Sequence, residues 1–372
     1  MDAAWWALPG PSGFLANVVG DIRRGLNVIV TPPPSSPVTE RVLEPLVRRF
    51  ESLHFISLDS DDISVPISES LHERLGVQPR PGQLASPAHL AEALPDRNVI
   101  FVNGLNATNA PQWLDFLCQY QHGCNGRPAH KRSVFCVAIS AACGVEPKQD
   151  IVLSLRRFGA DFHRIDGVLQ MENLLPRDGR AAIDRDLVVS VGAELAGCDG
   201  TLAKAIVESG RDFLTAPIPV LRRHGESLGW GPADLEGEGL IRGSEEFFDG
   251  KRRWHSSALA LRNNDAALLR RIWHGQIRVL FPFIEEQRIA LSNVVEPFLS
   301  LPVDTVDGRA EHAIDLEVGQ MLYHLRGRRL PPGIWDAIAC LRDMRNDLAH
   351  LRPVDPALLQ SAAFRRMAAN PL

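Results

Sequence analysis

Near the carboxyl end of the 372-residue chain, Arg342, Arg345, Asn346 and His350 fall at spacings that suit chemistry on a phosphate. On a helix, Arg342, Asn346 and His350 occupy i, i+4 and i+8 and form one stripe, with Arg345 beside it. Histidine titrates near neutral pH and serves as a general acid or base. Arginine offers several donors to a transition state that gathers negative charge, and asparagine orients a phosphate through neutral hydrogen bonds. A histidine in the last turn also faces the negative end of the helix dipole, which favours its protonated form. Between 326 and 352 there are six arginines against three aspartates and no glutamate, so Arg328, Arg329, Arg342 and Arg352 are candidate phosphate contacts. With two tyrosines in the whole chain, a platform for stacking bases is poorly supported. The competing structural reading is that Arg342, Arg345 and His350 finish a helix and pair with Asp343 and Asp347.

These residues need a helix to align them. Ile334, Ile338, Leu341 and Leu348 supply its inward face over 333–351, and Pro353 must soon end it. Segments 263–300, 310–326, 333–351 and 355–368 read as four helices separated by turns containing Pro or Gly, an up-and-down bundle with Pro282 as a kink in the first helix. The Arg345-x4-His350 string with a polar residue directly after the arginine, on the penultimate helix of such a bundle, resembles the HEPN superfamily of ribonuclease-type domains. That resemblance implies an all-α HEPN-like four-helix bundle over 258–372 and catalysis by Arg345, Asn346 and His350. It also implies cleavage of RNA by its own 2′-OH without a metal or cofactor, and a homodimer, paired through the bundle, that brings two motifs to one cleft.

The first 146 residues read differently. Apolar runs at Asn27 to Val30, His54 to Leu58, Val99 to Val102 and Val134 to Ile139 read as buried parallel strands. They alternate with helical spacing at 38–50, 86–94 and 111–121, which gives an α/β, doubly wound sheet. The first strand runs into Thr31-Pro32-Pro33-Pro34-Ser35-Ser36-Pro37-Val38-Thr39, where a nucleotide-binding sheet would place a glycine-rich phosphate loop. Proline has no N–H to offer, the loop has no glycine, and no lysine precedes Lys131. At the end of the third strand, Asn103 stands where a magnesium-binding aspartate is expected. This half resembles a P-loop NTPase sheet that has lost its nucleotide machinery; an unrelated α/β domain with a proline-rich turn is the alternative. Asp59, Asp61 and Asp62 read as a solvated acidic turn rather than a cation site. Trp5 and Trp6 read either as packing against the sheet or as a partner surface. Residues 147–257 read as a helical subdomain over 182–210, with Leu187, Val191, Leu195, Leu202 and Ile206 on its apolar side, followed by a linker over 225–257.

Composition bounds the rest. At 45% apolar and 23% charged residues the chain is globular, and a formal charge of −5 excludes a general basic field, so a nucleic-acid site must be local. Six cysteines show no C-x-x-C pair and no zinc spacing, so they are expected as buried free thiols. No stretch reaches 18 uninterrupted apolar residues, and the start lacks a basic then apolar leader, from which no membrane partner and a cytoplasmic location are expected. These readings and the resemblance combine into a metal-independent endoribonuclease effector of a prokaryotic defence or toxin-type system, with the inactive NTPase-like domain as a regulatory or docking module and other defence-system proteins as candidate partners. The alternative is a non-catalytic adaptor built from the same two parts.

Overall fold

A computed structural model describes residues 3–31, 54–79, 84–139, 153–157, 159–176, 181–210, 212–231, 235, 243–306 and 308–369. The expected helix over 38–50 and the proline-rich loop beyond Thr31 lie outside the described residues. The chain divides into two compact units, each assembled from separated segments: Met1–Asp166, Gly197–Thr201 and Glu226–Ala258 in the first, and Gly167–Ala196, Leu202–Gly225 and Leu259–Leu372 in the second. Segment 147–257, read from sequence as one stretch between two domains, is thus shared between both units.

The first unit is a parallel five-stranded sheet in the order β2-β3-β4-β1-β5: β1 Asn27–Thr31, β2 His54–Asp59, β3 Asn98–Asn103, β4 Val134–Ala138 and β5 Leu153–Arg157. Alternation along the strands feeds two apolar layers. Ile29, Ile100, Val102, Phe135 and Val137 pack with Leu71 of α2 (Ile67–Arg74), Leu90 of α3 (Pro87–Ala93) and Trp113 and Tyr120 of α4 (Ala110–Cys124). Val28, Val30, Val99, Phe101 and Cys136 pack with Phe14, Val18 and Ile22 of α1 (Pro9–Arg23), and with Trp5 and Trp6. Both faces are covered, which is why the central strands read as unbroken apolar runs. The tryptophans take the packing role.

Strand β5 was not anticipated. It borders the sheet through β1 alone, and its half-buried Arg156 and Arg157 hide the strand signal. Arg156 binds Asp21 of α1, whose fully buried carboxylate also takes Ser154 Oγ–H and Arg24. Burial pushes the Asp21 carboxyl up, but the bonds from Arg156, Ser154 and Arg24 more than offset this and hold it below the usual carboxylate range. The supposed linker contains order too: β6 Glu245–Phe248 and β7 Lys251–Trp254 form an antiparallel hairpin in this unit.

The second unit is helical. After α5 (Arg164–Leu174), which starts in the first unit and continues into this one, come α6 (Ala182–Ala196), α7 (Gly200–Ser209) and α8 (Pro217–Ser227). The sequence pattern over 182–210 is broken by Gly197, which takes φ +56 between α6 and α7. The long helix α9 (Asp265–Val295) begins at Asn264, whose side chain accepts from Ala267 N–H, and continues through Pro282. Its closest partner is α6. Ser190 Oγ–H donates to Gly275 O at 2.8 Å, and a Cβ on Gly275 would lie 2.6 Å from Val191 Cα, so only glycine permits this approach. A short hairpin, β8 Val303–Thr305 with β9 Gly308–Ala310, precedes α10 (Val318–His324), so the helix expected over 310–326 is shorter. Then follow α11 (Ile334–Ala349), α12 (Pro356–Gln360) and α13 (Ala362–Ala369), two short helices where one was expected.

Candidate functional site

Helix α11 carries the motif. Ala337, Ile338, Cys340, Leu341, Met344 and Leu348 are buried, which turns 342, 345, 346 and 350 away from the core. His350 is the C-cap, Leu351 takes φ +57, Leu351 N–H donates to Leu348 O at 3.2 Å and Arg352 N–H donates to Asp347 O at 3.0 Å. That is a Schellman ending with leucine where glycine is usual. Two side chains of α9 fix the same end: Trp273 Nε1–H donates to Leu348 O at 2.8 Å, and buried Gln276 Oε1 accepts from Val354 N–H at 2.8 Å. The backbone under the motif is therefore tied from within and from the side.

The side chains divide into two groups. Asn346 and His350 are exposed, and neither side chain has a hydrogen bond or ion pair among the described residues. The arginines are engaged. Arg345 Nη2 lies 2.7 Å from Glu317 Oε2, Arg342 Nη2 lies 2.7 Å from Asp343 Oδ1, and Arg352 Nη2 lies 3.4 Å from Asp347 Oδ1. The Arg345 contact is ionic rather than well directed, since Arg345 Nε and Glu317 Oε2 are shut off from solvent yet make no hydrogen bond of good geometry. Arg328 donates to Ser300 Oγ at 2.7 Å, whereas Arg329 is exposed without such a contact among the described residues. The stripe on α11 thus brings Arg345, Asn346 and His350 together, while Arg328 and Arg329 sit in the turn before that helix.

Glu317 was not singled out from sequence. It is the N-cap of α10, accepting from the Gln320 N–H while Gln320 Oε1 takes the Glu317 N–H at 2.9 Å. The Glu317-x-x-Gln320 spacing is the one available signal, a capping box with glutamate in the place of serine or threonine. Trp273 gave no signal beyond helical periodicity.

In the first unit, Asn103 ends β3, opposite Asp59 in register, and its amide reaches Ser57 Oγ at 3.4 Å. Asp59 Oδ1 accepts from Asp61 N–H and Asp62 pairs with Arg74, so the acidic turn satisfies its own backbone and a neighbouring cation. Among the described residues no group of three or more His, Cys, Asp or Glu is placed to hold a metal ion, and no helix is long and apolar enough to cross a membrane. Five cysteines are free thiols, four of them buried and Cys118 half-buried; Cys143 lies outside the described residues. Burial raises Cys124, Cys198 and Cys340, which suits packing rather than nucleophilic use. Compared with known proteins, the chain matches no described protein family and no curated protein.

Proposed function

We propose that the second unit carries a HEPN-type endoribonuclease site, the effector of a prokaryotic defence or toxin-type system, with the sheet unit as an inactive NTPase-like module for regulation or docking. One observation carries this reading: Asn346 and His350 stand one turn apart, exposed and uncommitted, on a helix end held by Trp273, Gln276 and a Schellman ending. Exposed polar side chains without internal partners remain available to a ligand, and the tied backbone fixes where they start from. In this proposal His350 moves the proton of the attacking 2′-OH or of the leaving oxygen, and Asn346 orients the phosphate. Arg345 exchanges Glu317 for the phosphate, an exchange favoured because an ion pair between partly exposed side chains contributes only about 0.2–1 kcal/mol. The site acts in the cytoplasm as a homodimer through the helical unit, which gives the one-sided stripe a second wall.

The test is cleavage of RNA by the full chain in the presence of EDTA, with end-group analysis. Wild type is expected to leave 2′,3′-cyclic phosphate, and His350→Ala to lose about two to four orders of magnitude in rate. Light scattering of the same sample should give a dimer. A specific observation favours a second reading, the non-catalytic adaptor: Arg342, Arg345 and Arg352 each already hold a carboxylate. A wild type that cuts no RNA, together with an Arg345→Ala variant destabilised by well over about 1 kcal/mol, selects the adaptor.

A further inference from the structure

Leu351 departs from two preferences at once. It takes φ +57, in the left-handed region that favours glycine, and it is 66% exposed. The other non-glycine residues with positive φ among the described residues are Arg97, Asp249 and Asn263, and Asn and Asp adopt this backbone more readily than a branched aliphatic residue does. An exposed leucine by itself is ordinary. An exposed leucine on a strained backbone gains little from burial to offset the strain, so neither packing nor conformation accounts for it.

The strained turn is braced on both sides. Leu351 N–H donates to Leu348 O at 3.2 Å and Arg352 N–H to Asp347 O at 3.0 Å. Trp273 Nε1–H holds the Leu348 carbonyl before the turn, and Gln276 Oε1 holds Val354 N–H after it. Asp347 also accepts Asp355 N–H at 3.2 Å and faces the Arg352 guanidinium at 3.4 Å. In a Schellman ending an apolar contact often joins the residues at positions 347 and 352; here their ion pair takes that place. Leu351 is not needed to close the helix, and the turn displays it to solvent.

It is displayed beside the motif. Consecutive Cα atoms are about 3.8 Å apart, so Leu351 is the immediate neighbour of His350. Residues 349–352 are all exposed. The core of an interface between two protein copies is depleted of charge, whereas Leu351 stands between His350 and Arg352. One apolar side chain among groups that suit a phosphate matches a nucleotide, whose base hangs from the sugar that carries the phosphate and has a face to pack against.

We propose that Leu351 is a base-contacting residue of the ribonuclease site. It packs on the face of the nucleobase at the cleaved position, on the sugar whose 2′-OH His350 serves. This role rests on the ribonuclease reading above. The contact takes a base turned out of its stack and touches its face instead of its hydrogen-bonding edges, so it requires a base without selecting one sequence.

The test uses the full chain and a single-stranded RNA oligonucleotide whose cut position is first mapped with wild type. A second oligonucleotide carries an abasic ribose at that position and keeps the 2′-OH. Leu351→Gly should lower kcat/KM on the intact oligonucleotide about tenfold, the loss expected when part of a leucine side chain no longer leaves water. It should melt no lower than wild type, because glycine suits the backbone there. Wild type should lose a similar factor on the abasic oligonucleotide, and Leu351→Gly should lose little more on it. Leu351→Met, which keeps an apolar side chain of similar volume, should cut within about threefold of wild type. Losses that multiply independently, or a Leu351→Gly rate equal to that of wild type, overturn the base contact and leave the ribonuclease reading standing. So does light scattering in which Leu351→Gly turns a wild-type dimer into monomer, which assigns the leucine to contact with a second copy. A wild type that cuts no RNA overturns the ribonuclease reading itself, and the role of Leu351 with it.

Discussion

The Arg345–Glu317 contact allows a quantitative test of whether the motif arginine is structural. Its side chains are 34% and 47% exposed, so solvent screens the pair and its coupling belongs near the top of the range for surface ion pairs, about 0.5–1 kcal/mol. Removing Arg345 also removes a buried Nε that lacks a good hydrogen bond, which limits the loss. Glu317 does two jobs, because it also caps α10, and a lost N-cap costs about 1 kcal/mol. Arg345→Ala should therefore cost about 0.5–1 kcal/mol, Glu317→Ala about 1.5–2 kcal/mol, and the double variant no more than Glu317→Ala. For a unit of this size, 1 kcal/mol moves the melting temperature by about 2–4 °C. Urea denaturation of the four proteins gives the cycle directly. RNA cleavage adds a second readout: Arg345→Ala should lose about two to three orders of magnitude in rate, and Glu317→Gln, which frees the guanidinium, should lose none. Additive single and double costs would refute the reasoning, since the pair would then not exist in the folded protein.

His350→Ala should leave stability within about 0.5 kcal/mol of wild type by calorimetry, since its exposed imidazole makes no internal bond and the helix end is closed by backbone. Asp21→Asn should cost about 3 kcal/mol at neutral pH, because it leaves Arg156 facing a neutral group at a buried site. The folded Asp21 carboxyl is held below its unfolded range, so its contribution is complete above that range and lost as pH falls through the lowered folded value. Stability curves of wild type and Asp21→Asn should accordingly converge in acid. Gly275→Ala should destabilise by about 1–3 kcal/mol in urea, as its Cβ would lie 2.6 Å from Val191 Cα and force α6 and α9 apart.

The sequence revealed what depends on local pattern. β1, β3 and β4 stood out because Val28 to Val30, Val99 to Val102 and Val134 to Ala138 are buried on both faces and read as apolar runs. β5 did not, because an edge position let Arg156 and Arg157 stay half-exposed. The stripe of Arg342, Asn346 and His350, with Arg345 beside it, was legible from helical spacing. Its partner Glu317 was not, since periodicity is silent about which other helix faces a surface position. The same blindness concealed the α6 and α9 pairing, which turns on Gly275 and Ser190, residues that a pattern of large apolar side chains does not weigh. From Leu187 to Ala196 every residue of α6 is buried, so it is an internal helix rather than one face of a separate subdomain.

The interleaving of the two units dictates how the polypeptide can mature on the ribosome. Helix α6 is synthesised well before α9, yet the groove that receives Gly275 is formed by Val191 of α6. During translation the buried run Leu187 to Ala196 must wait for some eighty further residues before α9 can cover it. For the same reason no single proteolytic cut can release the motif-bearing half intact. A fragment starting at residue 259 would emerge without α6 and expose the apolar side of its own longest helix.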